Sequence, residues 1–184
     1  MQALTKSLTR AHLDAIRAAL ARAAWDGGDR SKTAAILVPL CNVLLQVRSR
    51  SLRSHSGEVS CPGGKADDLD ATLLDTALRE TREEMGIAHD RIETLGHLGP
   101  PEKSLRGDIV WPFVGFVHSE STTERSEDPN AALPSVDLEA IRNTASKDEV
   151  DFVFHLPLAQ LGNPARHRRH WEANSGVIRL NGRR

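Results

Sequence analysis

Arg79-Glu80-Thr81-Arg82-Glu83-Glu84-Met85-Gly86-Ile87 is the stretch on which the fold turns. It sets three carboxylates within about one and a half helical turns and then meets a glycine, a common end to a helix. At ~100° per residue, Glu80 and Glu84 fall one above the other with Glu83 beside them, so their oxygens are expected to converge on one narrow face. Like charges at this spacing cost a helix roughly a few tenths of a kcal/mol per pair. Two readings are open. The triplet is either a solvated face whose acids pair with Arg79 and Arg82, or a site for a hard cation bound through carboxylates, waters and substrate phosphates.

The preceding residues favour the second reading. Cys61-Pro62-Gly63-Gly64-Lys65 is turn-forming, the acidic Asp67, Asp68 and Asp70 follow, and Ala71 to Leu78 carry apolar residues at helical spacing. The order is loop, helix, loop. Gly64 through Ile87 resembles the Nudix box: Gly, five residues, Glu, seven residues, then Arg-Glu-aliphatic-any-Glu-Glu-any-Gly-aliphatic. Asp70 stands where the first Glu is expected, eight residues instead of seven separate it from Arg79, and Thr81 replaces the aliphatic residue. The resemblance implies Glu80, Glu83 and Glu84 as ligands of Mg²⁺ or Mn²⁺, with the backbone carbonyl of Gly64 beside them. It also implies Arg79 orienting a glutamate through a bidentate pair, and Glu83 or Glu149 accepting a proton from the attacking water.

A second motif runs from Leu44 to Gly64. It is similar to the signature of the coenzyme A diphosphatase branch of that family: Leu-Leu-Thr-any-Arg-Ser, three residues, Arg, three residues, Gly, three residues, Phe-Pro-Gly-Gly. Arg48-Ser49, Arg53, Gly57 and Pro62-Gly63-Gly64 fall in register, while Gln46 replaces the Thr and Cys61 the Phe. Arginines beside hydroxyls suit phosphate oxygens, and Arg48, Ser49, Arg53, Gly57 and Lys65 are the candidate substrate-binding residues. Any one arginine could instead pair with Glu58 or the acidic loop. Gly107 to Gly115 and Lys147 to Leu158 resemble later segments of the same branch. The resemblance implies metal-dependent hydrolysis of coenzyme A or acyl-coenzyme A to 3′,5′-ADP and (acyl-)4′-phosphopantetheine. The alternatives are ADP-ribose, a nucleotide sugar or an oxidised nucleotide as substrate, or a nucleotide-binding protein without catalysis.

The rest of the chain agrees with one α/β domain. Residues 34–40 and 42–47 read as strands interrupted at Pro39, and 92–98, 109–117 and 150–156 as further strands. The Nudix resemblance implies an α/β/α sandwich with a central mixed sheet. Thr9 to Trp25 read as an amphipathic helix with Leu13, Ile16, Leu20 and Ala24 on one face. The expected division is residues 1–30 as a helix packed on the domain, 31–165 as the catalytic domain, and 166–184 as an extension whose natural terminus could be missing or altered. Ser119 to Asp137 reads as a solvated, mobile loop. Among 184 residues, 39% are hydrophobic and the net charge is −1, which gives no sign of a nucleic-acid or membrane surface. The expected partner is a small-molecule substrate, bound by a monomer or homodimer. Two cysteines, Cys41 and Cys61, point to an intracellular reducing compartment, with cytoplasm, peroxisome and mitochondrion not distinguished. Cys61, without an associated His base, reads as a small filler, and Trp111 as core or, less favoured, an adenine platform.

Overall fold

Helix α1 (Arg10–Leu20) precedes strands β1 (Thr33–Leu40), β2 (Val43–Arg48), β3 (Val59–Ser60) and β4 (Gly63–Lys65), and helix α2 (Leu73–Met85) follows them. Then come β5 (Ile92–His97), β6 (Glu102–Lys103), β7 (Ile109–Val117), α3 (Leu138–Thr144), β8 (Val150–Leu156) and α4 (Leu158–Leu161). The computed structural model describes residues 7–21, 32–104, 107–119, 128–134 and 136–161. These strands form one mixed sheet. β1 and β7 run parallel, from Thr33 opposite Ile109 to Leu40 opposite Phe116, and the remaining pairings are antiparallel.

Period-two alternation puts a core on each face. Along β7, Trp111, Phe113 and Val117 join Ala35, Leu37 and Leu44 against α2 residues Leu73, Ala77 and Met85. Val114 and Phe116 face the other way, with Leu40, Val43, Leu95 and Leu13 of α1. This is the expected α/β/α sandwich. Leu13 is fully buried, which is worth about 1.5–3 kcal/mol toward docking α1.

The second anchor of α1 is ionic. Arg10 Nη1 donates to both carboxylate oxygens of Glu93 on β5 (2.6 and 2.7 Å), Arg17 donates to the same group, and His118 Nε2 lies 3.0 Å from it. Burial alone would raise the pKa of Glu93, but these hydrogen bonds outweigh it and hold the carboxyl down at about 2.

Three expectations need correction. Pro39 does not interrupt β1, which is continuous through Pro39 opposite Gly115. The break falls at Cys41-Asn42, where Asn42 adopts φ +67° and the chain reverses, a left-handed conformation that asparagine tolerates. Helix α1 ends at Leu20 with Thr9 as its N-cap, and Ala24 and Trp25 lie outside the described residues. Part of the segment expected to be a solvated loop is packed: Leu133 N–H donates to Leu8 O, Ala132 bridges Thr9, and Leu133 joins the α1 core. Asp137 caps α3, accepting from Glu139 and Ala140.

The pairing of β1 with β2 positions the site. The two strands meet at Leu40 and Val43 and then part. β3 pairs with the far end of β2 (Gln46–Ser60, Val47–Val59), and β4 with the near end of β1 (Ala35–Gly64, Ile36–Gly63). The chain from 59 to 65 therefore crosses between two diverging strands, carrying Gly63 and Gly64 to the α2 glutamates.

Candidate active site

Helix α2 is fixed at both ends. Thr72 accepts from Asp75 N–H, and the Asp75 carboxylate accepts from Thr72 N–H, a reciprocal cap. Gly86 ends the helix at φ +71° with its N–H on Arg82 O, and a side chain there would come within 2.6 Å of Thr144. Thr81 is fully buried where an aliphatic residue was expected. Its hydroxyl donates to Ala77 O at 2.6 Å, so it enters the core without an unmet polar group.

The three glutamates divide instead of converging. Successive helical residues are ~100° apart, and that angle separates Glu83 from Glu84. Glu84 turns into the sheet at 2% exposure, Glu80 is half-buried, and the Glu83 side chain is 55% exposed. Among the described residues, no three His, Cys, Asp or Glu side chains stand together as a ready-made metal site. Arginines meet the carboxylate repulsion instead: Arg79 Nη1 bridges Glu80 Oε1 (2.8 Å) and Glu83 Oε2 (2.9 Å), and Arg48 Nη1 donates to Glu84 Oε1 (2.8 Å).

The bidentate pair expected between Arg79 and a glutamate goes to Asp70. Arg79 Nε and Nη2 donate to its two oxygens at 2.9 and 3.0 Å, and Asp70 also accepts from Thr76 Oγ1 and Asp67 N–H. These contacts, Arg79 foremost, hold the buried Asp70 carboxyl well below the usual range despite its burial. Glu80 shifts the other way. Burial raises it most, and Glu84 and Glu83 push it further while Arg79 opposes. Two guanidinium groups, Arg48 and Arg79, thus face four carboxylates, Asp70, Glu80, Glu83 and Glu84, and the site keeps a surplus of negative charge.

Gly63 and Gly64 form the opposite wall. Gly63 N–H donates to Glu84 Oε2 at 2.9 Å. A Cβ on residue 64 would lie 2.5 Å from Glu80 Cδ and Oε1, so only glycine admits the carboxylate this close. These oxygen donors, crowded against a glycine backbone and carrying surplus negative charge, suit a hard divalent cation.

The other candidates are distributed around this wall. Arg48 is engaged by Glu84 and does not project as a free phosphate fork. Ser49 is buried, its Oγ 2.9 Å from Ser51 Oγ and its N–H on Glu149 O. The loop from 49 to 57 is closed by Arg48 N–H on Glu58 O and Gly57 N–H on Arg48 O, with Gly57 at φ +71°. Arg53 is exposed at its tip, with no side-chain partner among the described residues. Glu58 is taken by His55, at 2.8 Å, and not by an arginine. Lys65 is largely exposed, 3.7 Å from Asp108. Glu149 is half-buried, and its backbone ties the loop to the start of β8. Burial pushes the Cys61 thiol up to about 11, unsuited to a nucleophile at neutral pH. Trp111, 1% exposed, is core.

Two residues beyond the sequence-based candidates belong to this network. Asp70 holds Arg79, and Gln46, fully buried, donates from Nε2 to Glu84 Oε2 at 2.8 Å. Both were visible as departures from the motifs they interrupt.

A family model for the NUDIX domain matches residues 30–174. A protein of Klebsiella pneumoniae (strain 342), described as the uncharacterized Nudix hydrolase NudL, is 39% identical over 134 residues, covering 70% of this chain and 59% of that protein. Its counterpart from Escherichia coli O1:K1 / APEC is 38% identical over the same length and shares. The chain spans about three-fifths of the length of these curated relatives. Among solved structures, a MutT NUDIX hydrolase from Burkholderia pseudomallei is 20% identical with a TM-score of 0.42, covering 70% of this chain and 84% of that one.

Proposed function

Because the chain belongs to the Nudix family, we propose that it hydrolyses a diphosphate bond with a divalent cation, Mg²⁺ or Mn²⁺, and that its substrate is coenzyme A or acyl-coenzyme A. The products would be 3′,5′-ADP and (acyl-)4′-phosphopantetheine. The observation that carries the chemistry is the close approach of Gly64 to the Glu80 carboxylate, with Glu84 fixed beside it on Gly63 N–H. Glu80, Glu84 and the Gly64 carbonyl would hold the cation, with the outward-turned Glu83, linked to Glu80 through Arg79, as a further ligand. When bound, such an ion neutralises diphosphate charge and makes a water nucleophilic at neutral pH.

The chain's own groups supply the rest. Asp70 fixes Arg79, and Arg79 sets the directions of Glu80 and Glu83. Glu83, the most exposed of the three glutamates, or Glu149 accepts the water's proton. Arg53 and Lys65 offer charge to substrate phosphates, while Ser49 and Gly57 shape the loop between them. The coenzyme A assignment rests on the resemblance of Leu44 to Gly64.

The engagement of Arg48 by Glu84 removes one phosphate contact from that assignment and favours, as a second reading, another nucleoside diphosphate derivative such as ADP-ribose. The test is chromatographic separation and quantification of the products formed from coenzyme A, acyl-coenzyme A, ADP-ribose and 8-oxo-dGTP, with Mg²⁺ or Mn²⁺. A clear preference in kcat/KM for the coenzyme A compounds is expected. Equal or faster turnover of ADP-ribose would overturn the substrate assignment. Glu84→Gln should abolish turnover without unfolding the chain, and retained activity would overturn the metal assignment.

A further inference from the structure

On the face of β2 turned toward α2, Gln46 and Arg48 occupy positions where a sheet ordinarily buries apolar side chains. Both reach Glu84. Gln46 Nε2 donates to Oε2 at 2.8 Å, Gly63 N–H to the same oxygen at 2.9 Å, and Arg48 Nη1 to Oε1 at 2.8 Å. The arrangement leaves Gln46 Oε1 and Arg48 Nε buried without a hydrogen-bond partner among the described residues. A fully buried amide that forgoes a hydrogen bond is a liability in a core. Packing therefore does not account for Gln46, whereas its contact with Glu84 does.

We propose that Gln46, together with Arg48, is a positioning residue that fixes Glu84 as a cation ligand. This rests on the reading of Glu84 as a ligand. Two donors sit on Oε2 and one on Oε1, so the carboxylate is locked from its buried side and Oε1 keeps the greater capacity to accept a further partner. A carboxylate held in one orientation binds an ion without first losing rotamer freedom, which is how outer contacts tune a metal site. Arg48 is thereby assigned to the carboxylate, leaving Arg53 and Lys65 for the substrate.

The test uses the full chain without substrate. Mn²⁺ is titrated into wild type, Glu84→Gln, Gln46→Leu and Gln46→Met, free ion is read from its electron paramagnetic resonance signal, and ion-free melting temperature is measured on each. Both Gln46 variants should bind Mn²⁺ roughly 10–100-fold more weakly while melting within about 4 °C of wild type. Gln46→Met, unbranched like glutamine, decides the matter if Gln46→Leu does not fold. Wild-type affinity in the Gln46 variants beside a defective Glu84→Gln would overturn this inference alone. Wild-type affinity in Glu84→Gln would overturn the ligand reading and the inference with it. A melting temperature lowered by more than about 10 °C in both Gln46 variants would assign the residue to stability and overturn its positioning role.

Discussion

Replacing Gly64 with alanine perturbs one contact. The new Cβ would lie 2.5 Å from Glu80 Cδ and Oε1 and 2.7 Å from Oε2. Ordinary contact begins near 3.4 Å, so the carboxylate must retreat by about 0.9 Å. The group that yields is the end of a flexible side chain, so the fold survives. An off-rotamer Glu80 costs about 0.5–1.5 kcal/mol, or roughly 1–6 °C in melting temperature for a chain of this size. Catalysis fares worse. A misplacement near 1 Å costs on the order of 10²-fold in rate, about 2.7 kcal/mol of barrier, and the 2.8 Å bond from Arg79 Nη1 to Glu80 is stretched as well. The assay is kcat for diphosphate hydrolysis beside thermal melting. Gly63→Ala is the contrast: its Cβ would strike the Ala35 carbonyl and Ile36 Cα at φ +154°, and that variant should fail to fold. A folded Gly64→Ala enzyme with wild-type kcat would refute the argument that the position of Glu80 governs the reaction.

Asp70→Asn removes one charge from the pair that holds Arg79. It should cost about 1–3 kcal/mol in chemical denaturation and lower kcat more than it raises KM, and an unchanged kcat would show that Arg79 needs no such support. Glu93, held down at about 2, contributes stability that is complete above its unfolded value of about 4.5 and is lost as the pH falls toward 2. Denaturation between pH 2 and 5 should show this slope in wild type and a flatter one in Glu93→Gln. Thr81→Val deletes a hydroxyl that, among the described residues, serves only Ala77 O, so stability by melting should change by less than about 1 kcal/mol, with kcat unchanged. Arg53→Ala should raise KM for coenzyme A far more than for dephospho-coenzyme A, and equal losses would remove Arg53 from recognition of the 3′-phosphate.

What the sequence made legible was local. The cap at Gly86, the helix leading to it and the strand at 109–117 follow from short-range pattern, and the place of Gly64 beside the glutamates from the family resemblance. The glutamates show where that reasoning stops. Helical periodicity placed Glu83 and Glu84 near each other but did not say which faces the sheet, because that depends on where β1, β4 and β7 lie beneath α2. The target of Arg48 likewise depends on tertiary packing: a guanidinium on β2 could reach substrate or carboxylate, and Glu84 lies 36 positions away in the chain. Asp70 was read as a departure from a pattern, and its role became visible once the loop before α2 closed it onto Arg79. The packing of residues 128–134 against α1 was hidden for a related reason, since polar composition says little about a backbone that pairs with a distant turn.

The closure of the 49–57 loop has a consequence for how such a protein diversifies. Its stem is clamped at Arg48, Gly57 and Glu58, and its first residues are tied to the chain around β8 through Ser49 on Glu149 and Ser51 on Asp148. Leu52 to Ser56 make no hydrogen bond with β8 among the described residues and lie mostly toward solvent. The contacts of the tip fall within the loop itself, Leu52 N–H on Ser49 O, Ser56 Oγ on Arg50 O and His55 on Glu58, so they are separate from the stem that keeps β2 and β3 in register and from the contacts that hold Glu84. If Arg53 reads the substrate as proposed, the residues that set recognition and those proposed to perform the reaction belong to separate contact networks, and a change in one leaves the other intact.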